Sequence, residues 1–358
     1  MDAPEPLKPT SLPVAAGGWT ALRNPSRSGI WRHRPALGLP VDIPEISLGE
    51  GDTPIVPLQR WGTAHGIPRV VAKLEYVSPT GSFKDRGAAA VIAVLAGAGV
   101  TSVVEDSSGN AGAAMAAYAA RAGLRAQIFV PESAPMAKRD QIAGYGAEVV
   151  AIAGTREDVA TAAEHAAHAP DVAYASHARH PAFVEGTKTF GLEVAAALAG
   201  SPPLHIVLPV GNGGLLLGAY KAYRELDRAG FQVRLPRLHA AQAAACAPLA
   251  AAFAAGADAP LPVQARPTVA GGVAVGRPAR GGEVLAALRR SGGVVVEIDD
   301  EQARRTRADL SRVEGLDVEY TSAVAFAAAE QLRATGVIGA DDRVLIAATG
   351  SGLKDAGV

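Results

Sequence analysis

Between residues 69 and 348 the chain switches repeatedly between strand-like and helix-like apolar patterns, and this alternation restricts the fold more than any other feature. Arg69–Val77 reads as a strand, and Gly87–Ala98 is apolar at helical spacing. Ser102–Glu105 reads as a strand, Ala111–Ala122 as a helix closed by Gly123, and Arg125–Val130 as a strand halted by Pro131. Met136–Tyr145 reads as helix, Ala147–Ile152 as strand and Glu157–Ala167 as helix. The pattern resumes with strand Leu204–Val210, helix Leu215–Arg228, strand Val294–Ile298, helices Glu301–Val313 and Ser322–Thr335, and strand Arg343–Ala348. Alternation at this spacing predicts an α/β fold with mostly parallel sheets flanked by helices. In such folds ligands sit beyond the carboxyl ends of strands, so the loops that follow strands are the places to look for chemistry.

Composition narrows the class. With 34 Lys+Arg against 35 Asp+Glu, the net charge of −1 offers no basic field for nucleic acid. A single cysteine, Cys246, excludes an intramolecular disulfide framework and a cysteine-rich zinc site. The N-terminal MDAPEPLKPTSLP lacks the basic and apolar regions of an export signal, and no apolar run reaches the length of a membrane span. A soluble cytoplasmic protein is expected, with no membrane partner. Ten of the 25 prolines fall within residues 1–57, which reads as an irregular arm lying over the body. Residues 256–282, rich in Gly, Pro and Ala, read as a long loop.

Four loops carry candidate chemistry. In Ser78-Pro-Thr-Gly-Ser-Phe-Lys84-Asp-Arg-Gly87, Lys84 stands at the start of a helix, where the positive end of the dipole disfavours its ammonium form by a few tenths to about 1 kcal/mol. A neutral amine is what a Schiff-base lysine requires. The loop Glu105–Gly112 offers Ser and Asn, whose commonest use at such a place is to cap the helix, and backbone N–H groups that can bind a carboxylate. In Pro209-Val-Gly211-Asn212-Gly213-Gly214-Leu215 three glycines in four positions allow close backbone approach at a helix N-terminus that favours phosphate. Leu216 breaks a dinucleotide fingerprint and neither glycine loop matches a P-loop, so a monophosphate cradle is the functional reading. Thr349-Gly350-Ser351-Gly352 follows the last strand and suits close approach to a ring. Together a reactive lysine, a phosphate cradle, an amide donor and a hydroxyl describe a site for pyridoxal 5′-phosphate.

These segments resemble the fold type II (tryptophan synthase β-like) pyridoxal-phosphate enzymes, and within them the threonine synthase branch. The resemblance rests on LGEGDTPIVPL (48–58), SPTGSFKDRG (78–87), SSGNAGAAMAAYAARAG (107–123), EGTKT (185–189), PVGNGG (209–214) and TGSGLKD (349–355). It implies two domains after the arm at 1–47: a large cofactor domain from 48–84 and 186–358, and a small mobile domain from 85–185. It implies Lys84 as the Schiff-base lysine with Phe83 beside the cofactor, Asn110 on the pyridine 3′-oxygen and Thr349 facing the ring nitrogen. Gly211, Asn212, Gly213, Gly214 and Leu215 would hold the phosphate, and Ser107, Ser108, Gly109, Asn110 and Ala111 the substrate α-carboxylate. A homodimer is the common assembly.

The departures fall on the substrate side. The family commonly continues its asparagine loop with Thr and Ser, where Ala111 and Gly112 stand here. It commonly has Asn-Ser and then Arg before the Glu of EGTKT, where alignment puts His177, Ala178 and Phe183. Losing the guanidinium removes a charge-assisted contact worth about 1.5–3 kcal/mol. His177, Arg179 and His180 offer a substitute anion site, or a polar loop. A metal is not expected at these histidines, because no carboxylate or cysteine stands at ligand spacing in the sequence. The reading is a lyase performing β- or γ-elimination or replacement on a small amino acid, with an O-phosphorylated one among the options. The alternatives are a serine/threonine dehydratase or ammonia-lyase, a synthase using another activated amino acid, and a catalytically silent cofactor-binding regulator.

Overall fold

The computed structural model describes residues 7–8, 11–12 and 18–355. Most of MDAPEPLKPTSLP therefore lies outside the described residues. Two sheets organise the molecule. The larger has six strands in the order β1 (Ile55–Pro57), β2 (Val70–Leu74), β10 (Val344–Ala348), β7 (His205–Pro209), β8 (Arg237–Ala243) and β9 (Val295–Ile298). Only the edge strand β1 runs antiparallel to its neighbour. The smaller sheet is parallel throughout, in the order β5 (Glu148–Ile152), β4 (Arg125–Pro131), β3 (Ser102–Glu105) and β6 (Val172–Tyr174). Strands β7 and β10 are buried along their whole length, which is why HIVLP and VLIAA carry no polar alternation.

The four-stranded sheet comes from one continuous stretch of chain, and the six-stranded sheet from both flanks. Helices Lys84–Gly97 and Pro181–Ala197 carry the chain out to the small sheet and back. They pack against each other and against helices Asn110–Ala122 and Gly214–Arg228 in one apolar cluster that includes Ile92, Phe183, Phe190 and Leu217. Among the described residues no helix is long and apolar enough to cross a membrane.

Strongly periodic segments lie within a few residues of expectation; the differences are instructive. Strand β2 ends at Leu74 rather than Val77, because Glu75–Val77 is a 3-10 turn. Glu75 there is fully buried and takes two hydrogen bonds from Arg86, Nε to Oε2 at 2.6 Å and Nη2 to Oε1 at 2.8 Å. Helix Pro181–Ala197 had no counterpart in the sequence reading: Thr187, Thr189, Gly186 and Gly191 are poor helix formers. Packing makes the helix. A Cβ on Gly186 would overlap the carbonyl oxygen of Arg86, and one on Gly191 would lie 2.6 Å from the Ala222 methyl. Strands β1, β6 and β8 and the short helices Gln59–Ala64 and Pro248–Ala254 were also unforeseen, as was helix Gly281–Ser291 at the end of the expected loop.

Two buried charge clusters lock this frame. Arg86 also donates to Glu193 (2.6 and 2.8 Å), which accepts from Lys73 at 2.8 Å. Lys188 pairs with Glu185 at 2.7 Å and Glu225 at 2.8 Å, and Lys221 with Glu225 at 2.6 Å. Lys188 of the EGTKT segment is thus a structural cation. In the N-terminal segment, 3-10 turns at Trp19–Leu22 and Gly29–Ala36 carry Leu22, Ile30 and Trp31 into the same apolar cluster.

Candidate active site

The loop before Lys84 is shaped by the loop after the last strand. Phe83 N donates to the Thr349 carbonyl at 3.0 Å, Ser351 N to the Gly81 carbonyl at 3.0 Å, and Lys354 Nζ to the Thr80 carbonyl at 2.8 Å. Lys354 therefore ties the last loop to the lysine loop. From below, the Asp85 carboxylate accepts from Thr80 N at 2.7 Å and from the Thr80 hydroxyl. Burial pushes Asp85 up to about 7. So held, Lys84 opens its helix with Nζ 3.9 Å from the centroid of the Phe83 ring. Burial pulls its amine down to about 8, against the opposing charges of Glu319 and Glu105.

Lys84 looks into a cavity of about 300 Å³ between the carboxyl ends of the two sheets. One wall is the glycine turn after β7. Gly213 sits at φ +81°, a left-handed conformation that suits glycine, and any side chain there would strike Val284. The turn opens the fifteen-residue helix Gly214–Arg228, whose first N–H groups have no intrahelical acceptor. The opposite wall is Ser107–Ala111. Gly112, where the family commonly has Ser, is required here: a Cβ would overlap the Ser107 carbonyl.

Asn110 does not cap its helix, contrary to the commonest expectation for the loop; the N-cap is Gly109, and no side chain caps there. Its Nδ2 instead donates to both carboxylate oxygens of buried Glu319, at 3.2 and 3.0 Å. Burial raises Glu319, and this amide opposes the rise. Thr349 lies across the cavity with its hydroxyl 2.8 Å from that of Ser322. Ser322 Oγ accepts from Thr349 N and Gly350 N, both at 2.9 Å. With both lone pairs used, its proton goes to Thr349 Oγ, leaving the Thr349 hydroxyl free to donate into the cavity.

The substrate-side residues separate. His177 lines the cavity; its backbone N donates to Glu105 Oε2 at 3.1 Å and its Nδ1 lies 2.6 Å from Oε1. Arg179 does not line the cavity: it is largely exposed and pairs with Glu164 at 2.5 Å. His180 caps helix Pro181–Ala197 through Nδ1, which accepts from Ala182 N. The substitute anion site of three residues therefore reduces to one. Phe183 is buried against Gly87 and Gly214, closing the wall where the resemblance expects an arginine.

Among the cavity residues that sequence reasoning missed are three charged ones, Glu319, Lys138 and Arg156. Lys138 is half-buried and Arg156 exposed, and neither has a carboxylate within ion-pair distance among the described residues. Only tertiary placement marks them. It also brings carboxylates to His177 that the linear spacing denied it: Glu105 and Asp106 offer oxygens within 4.8 Å of its ring nitrogen and of each other. Both Glu105 oxygens already accept hydrogen bonds from His177. A second cluster, His33, Asp52 and Glu193, lies among Arg23, Arg32, Lys73 and Arg86, a field that opposes a cation.

Known proteins resemble this chain over most of its length. The family model described as pyridoxal-phosphate dependent enzyme matches residues 46–350. Threonine synthase of Methanosarcina acetivorans is 35% identical over 327 residues, covering 91% of this chain and 80% of that protein. The same-named protein of Mycobacterium tuberculosis is 32% identical over 338 residues, covering 94% and 91%. Among solved structures, O-ureido-L-serine synthase superposes with a TM-score of 0.71 at 25% identity, covering 86% of this chain and 92% of its own. Maize serine racemase superposes with a TM-score of 0.73 at 22% identity, covering 84% and 88%, a likeness of fold.

Proposed function

Because the chain belongs to the pyridoxal-phosphate dependent enzymes, we propose that it catalyses elimination or replacement at the β- or γ-carbon of a small amino acid bearing an anionic leaving group. The observation that carries this reading is the meeting of the Lys84 amine and the Gly211–Leu215 turn in one cavity of about 300 Å³. The site fits pyridoxal 5′-phosphate: the Gly211–Leu215 turn lines the cavity at a helix N-terminus, where a phosphate is favoured, and Thr349 has a hydroxyl proton to spare for a ring nitrogen. When bound, the cofactor supplies an electron sink for negative charge at the substrate α-carbon.

The rest of the chemistry belongs to the chain. Lys84 would hold the cofactor as a Schiff base and, once released, move the α-proton. With its amine near 8, about a tenth is neutral at pH 7, roughly 300-fold more than for an unperturbed lysine. Asn110 would donate to the ring 3′-oxygen, with Glu319 fixing its amide. Ser107–Ala111, at the start of a thirteen-residue helix, would take the α-carboxylate. Thr349 is a neutral partner for the ring nitrogen, so the ring is a moderate electron sink; this suits eliminations, in which the leaving group carries charge away. Lys138 and Arg156, free of carboxylate partners among the described residues, would receive a side-chain anion such as an O-phosphoryl group.

Phe183 favours a second reading, a serine/threonine dehydratase acting on an uncharged leaving group, because an apolar ring stands where the resemblance expects a guanidinium. A substrate panel separates the two. Inorganic phosphate and threonine from O-phosphohomoserine support the first, and a keto acid with ammonia from serine or threonine supports the second. Lys84→Ala should abolish the visible absorbance of the bound cofactor; an unchanged spectrum would sink the assignment.

A further inference from the structure

His177 is placed as a proton-transfer group that the proposed roles leave unused. Strands β3 and β6 are parallel neighbours, with Ser102 opposite Val172 and Val104 opposite Tyr174. The chain therefore delivers Glu105, at the end of β3, and His177, three residues beyond β6, to one edge of the sheet. Glu105 is wholly buried and holds both the backbone N and the ring Nδ1 of His177, the latter at 2.6 Å. On the cavity side, His177 Nε2 lies 3.3 Å from Asn212 Nδ2, while Asn212 Oδ1 accepts from Ala279 N. That amide orientation makes Nε2 the acceptor and Nδ1–H the donor to Glu105. A neutral imidazole with a buried carboxylate behind it, whose Nε2 accepts only from Asn212 on the cavity wall, is arranged as a base once a water takes the place of that amide.

Resting on the elimination reading above, we propose that His177 is a second proton-transfer residue, serving the carbon that takes up water after the leaving group has departed, and that Glu105 is its positioning residue. Once the leaving group has departed, water adds to the unsaturated carbon of the bound substrate. The water oxygen forms the new C–O bond, one O–H bond breaks with its electron pair kept by oxygen, and the proton passes to His177 Nε2. The electron pair of the carbon–carbon double bond moves to the neighbouring carbon, which takes a proton from the Lys84 ammonium. Glu105 offsets the imidazolium charge. Asp106 beside Glu105 also favours that charge. Arg280, which holds the Ala178 and Arg179 carbonyls, and Lys84 and Arg156, which line the same cavity, are the cations that oppose it. The substrate class that follows is an amino acid that gives up an anionic leaving group and takes up a hydroxyl group.

The test uses the holoenzyme with O-phospho-L-homoserine, comparing wild type with His177→Gln, His177→Asn, Glu105→Gln and Glu105→Asp. In His177→Gln the ratio of hydroxylated amino acid to keto acid and ammonia should fall at least tenfold. The yield of hydroxylated product should fall on the acid side in wild type and lose that pH dependence in His177→Gln. Glu105→Asp should restore part of what Glu105→Gln loses. Independently of turnover, ¹⁵N NMR of the apo-protein should show a His177 Nδ1–H tautomer, identified by its absence from the His177→Asn spectrum and mixed in Glu105→Gln. Unchanged partition with an unchanged pH profile overturns the His177 role and leaves elimination standing, as does keto acid as the sole wild-type product. Neither phosphate release nor a spectral response to any amino acid overturns the elimination reading, and this one with it.

Discussion

Lys84 shows how one residue is tuned by its setting. An ordinary lysine amine titrates near 10.5, and burial brings this one to about 8. Below pH 8 the folded and unfolded chains both carry the proton, and the cost of burying the charge is constant. Between pH 8 and 10.5 the unfolded chain keeps a proton that the folded chain has shed, so stability rises with pH. The rise over that window should be of order 3 kcal/mol. Urea unfolding of the apo-protein, relative to Lys84→Met, would measure it; a difference that stays flat with pH would mean a fully hydrated amine. Lys84 could be singled out in the sequence because its helix-start position in SPTGSFKDRG stands out. The second partner of Asn110 was not, because Glu319 is 209 residues away.

At the scale of elements, periodicity sufficed wherever a helix or strand could be recognised by itself. Ser102–Glu105 has the bounds expected, and Asn110–Ala122 begins one residue early. Helix Pro181–Ala197 shows the limit. Its glycines and threonines disfavour a helix locally, and its apolar face is hidden by residues buried on all sides, Lys188 and Glu193 among them. What holds it is contact with helices Lys84–Gly97 and Gly214–Arg228, which no local window contains. Gly186→Ala tests this directly. The methyl gains about 1 kcal/mol of helix propensity but would overlap the Arg86 carbonyl, and the forced separation should cost about 3 kcal/mol. A net loss of about 2 kcal/mol in denaturant unfolding is expected, whereas a stabilised variant would show that the helices part freely.

For the molecule as a whole, the two sheets contribute opposite walls of one cavity. Ser107–Ala111, Lys138 and Arg156 come with the four-stranded sheet, and Gly211–Leu215 and Thr349 with the six-stranded one. A substrate carboxylate on Ser107–Ala111 and a cofactor on the glycine turn would draw the walls together. Crystals grown with and without amino acid should therefore differ in the relative position of the sheets; identical positions would count against closure. The sequence by itself determined the α/β class and the family and pointed to Lys84 and the glycine turn, because each is written in contiguous residues whose spacing has a local physical meaning. The tertiary structure decided which side chains share the substrate end. Arg179 turns outward to Glu164, while parallel pairing of β3 and β6 brings Glu105 to His177 across 72 residues. Strand order is set by packing between distant segments, and no spacing along the chain records it.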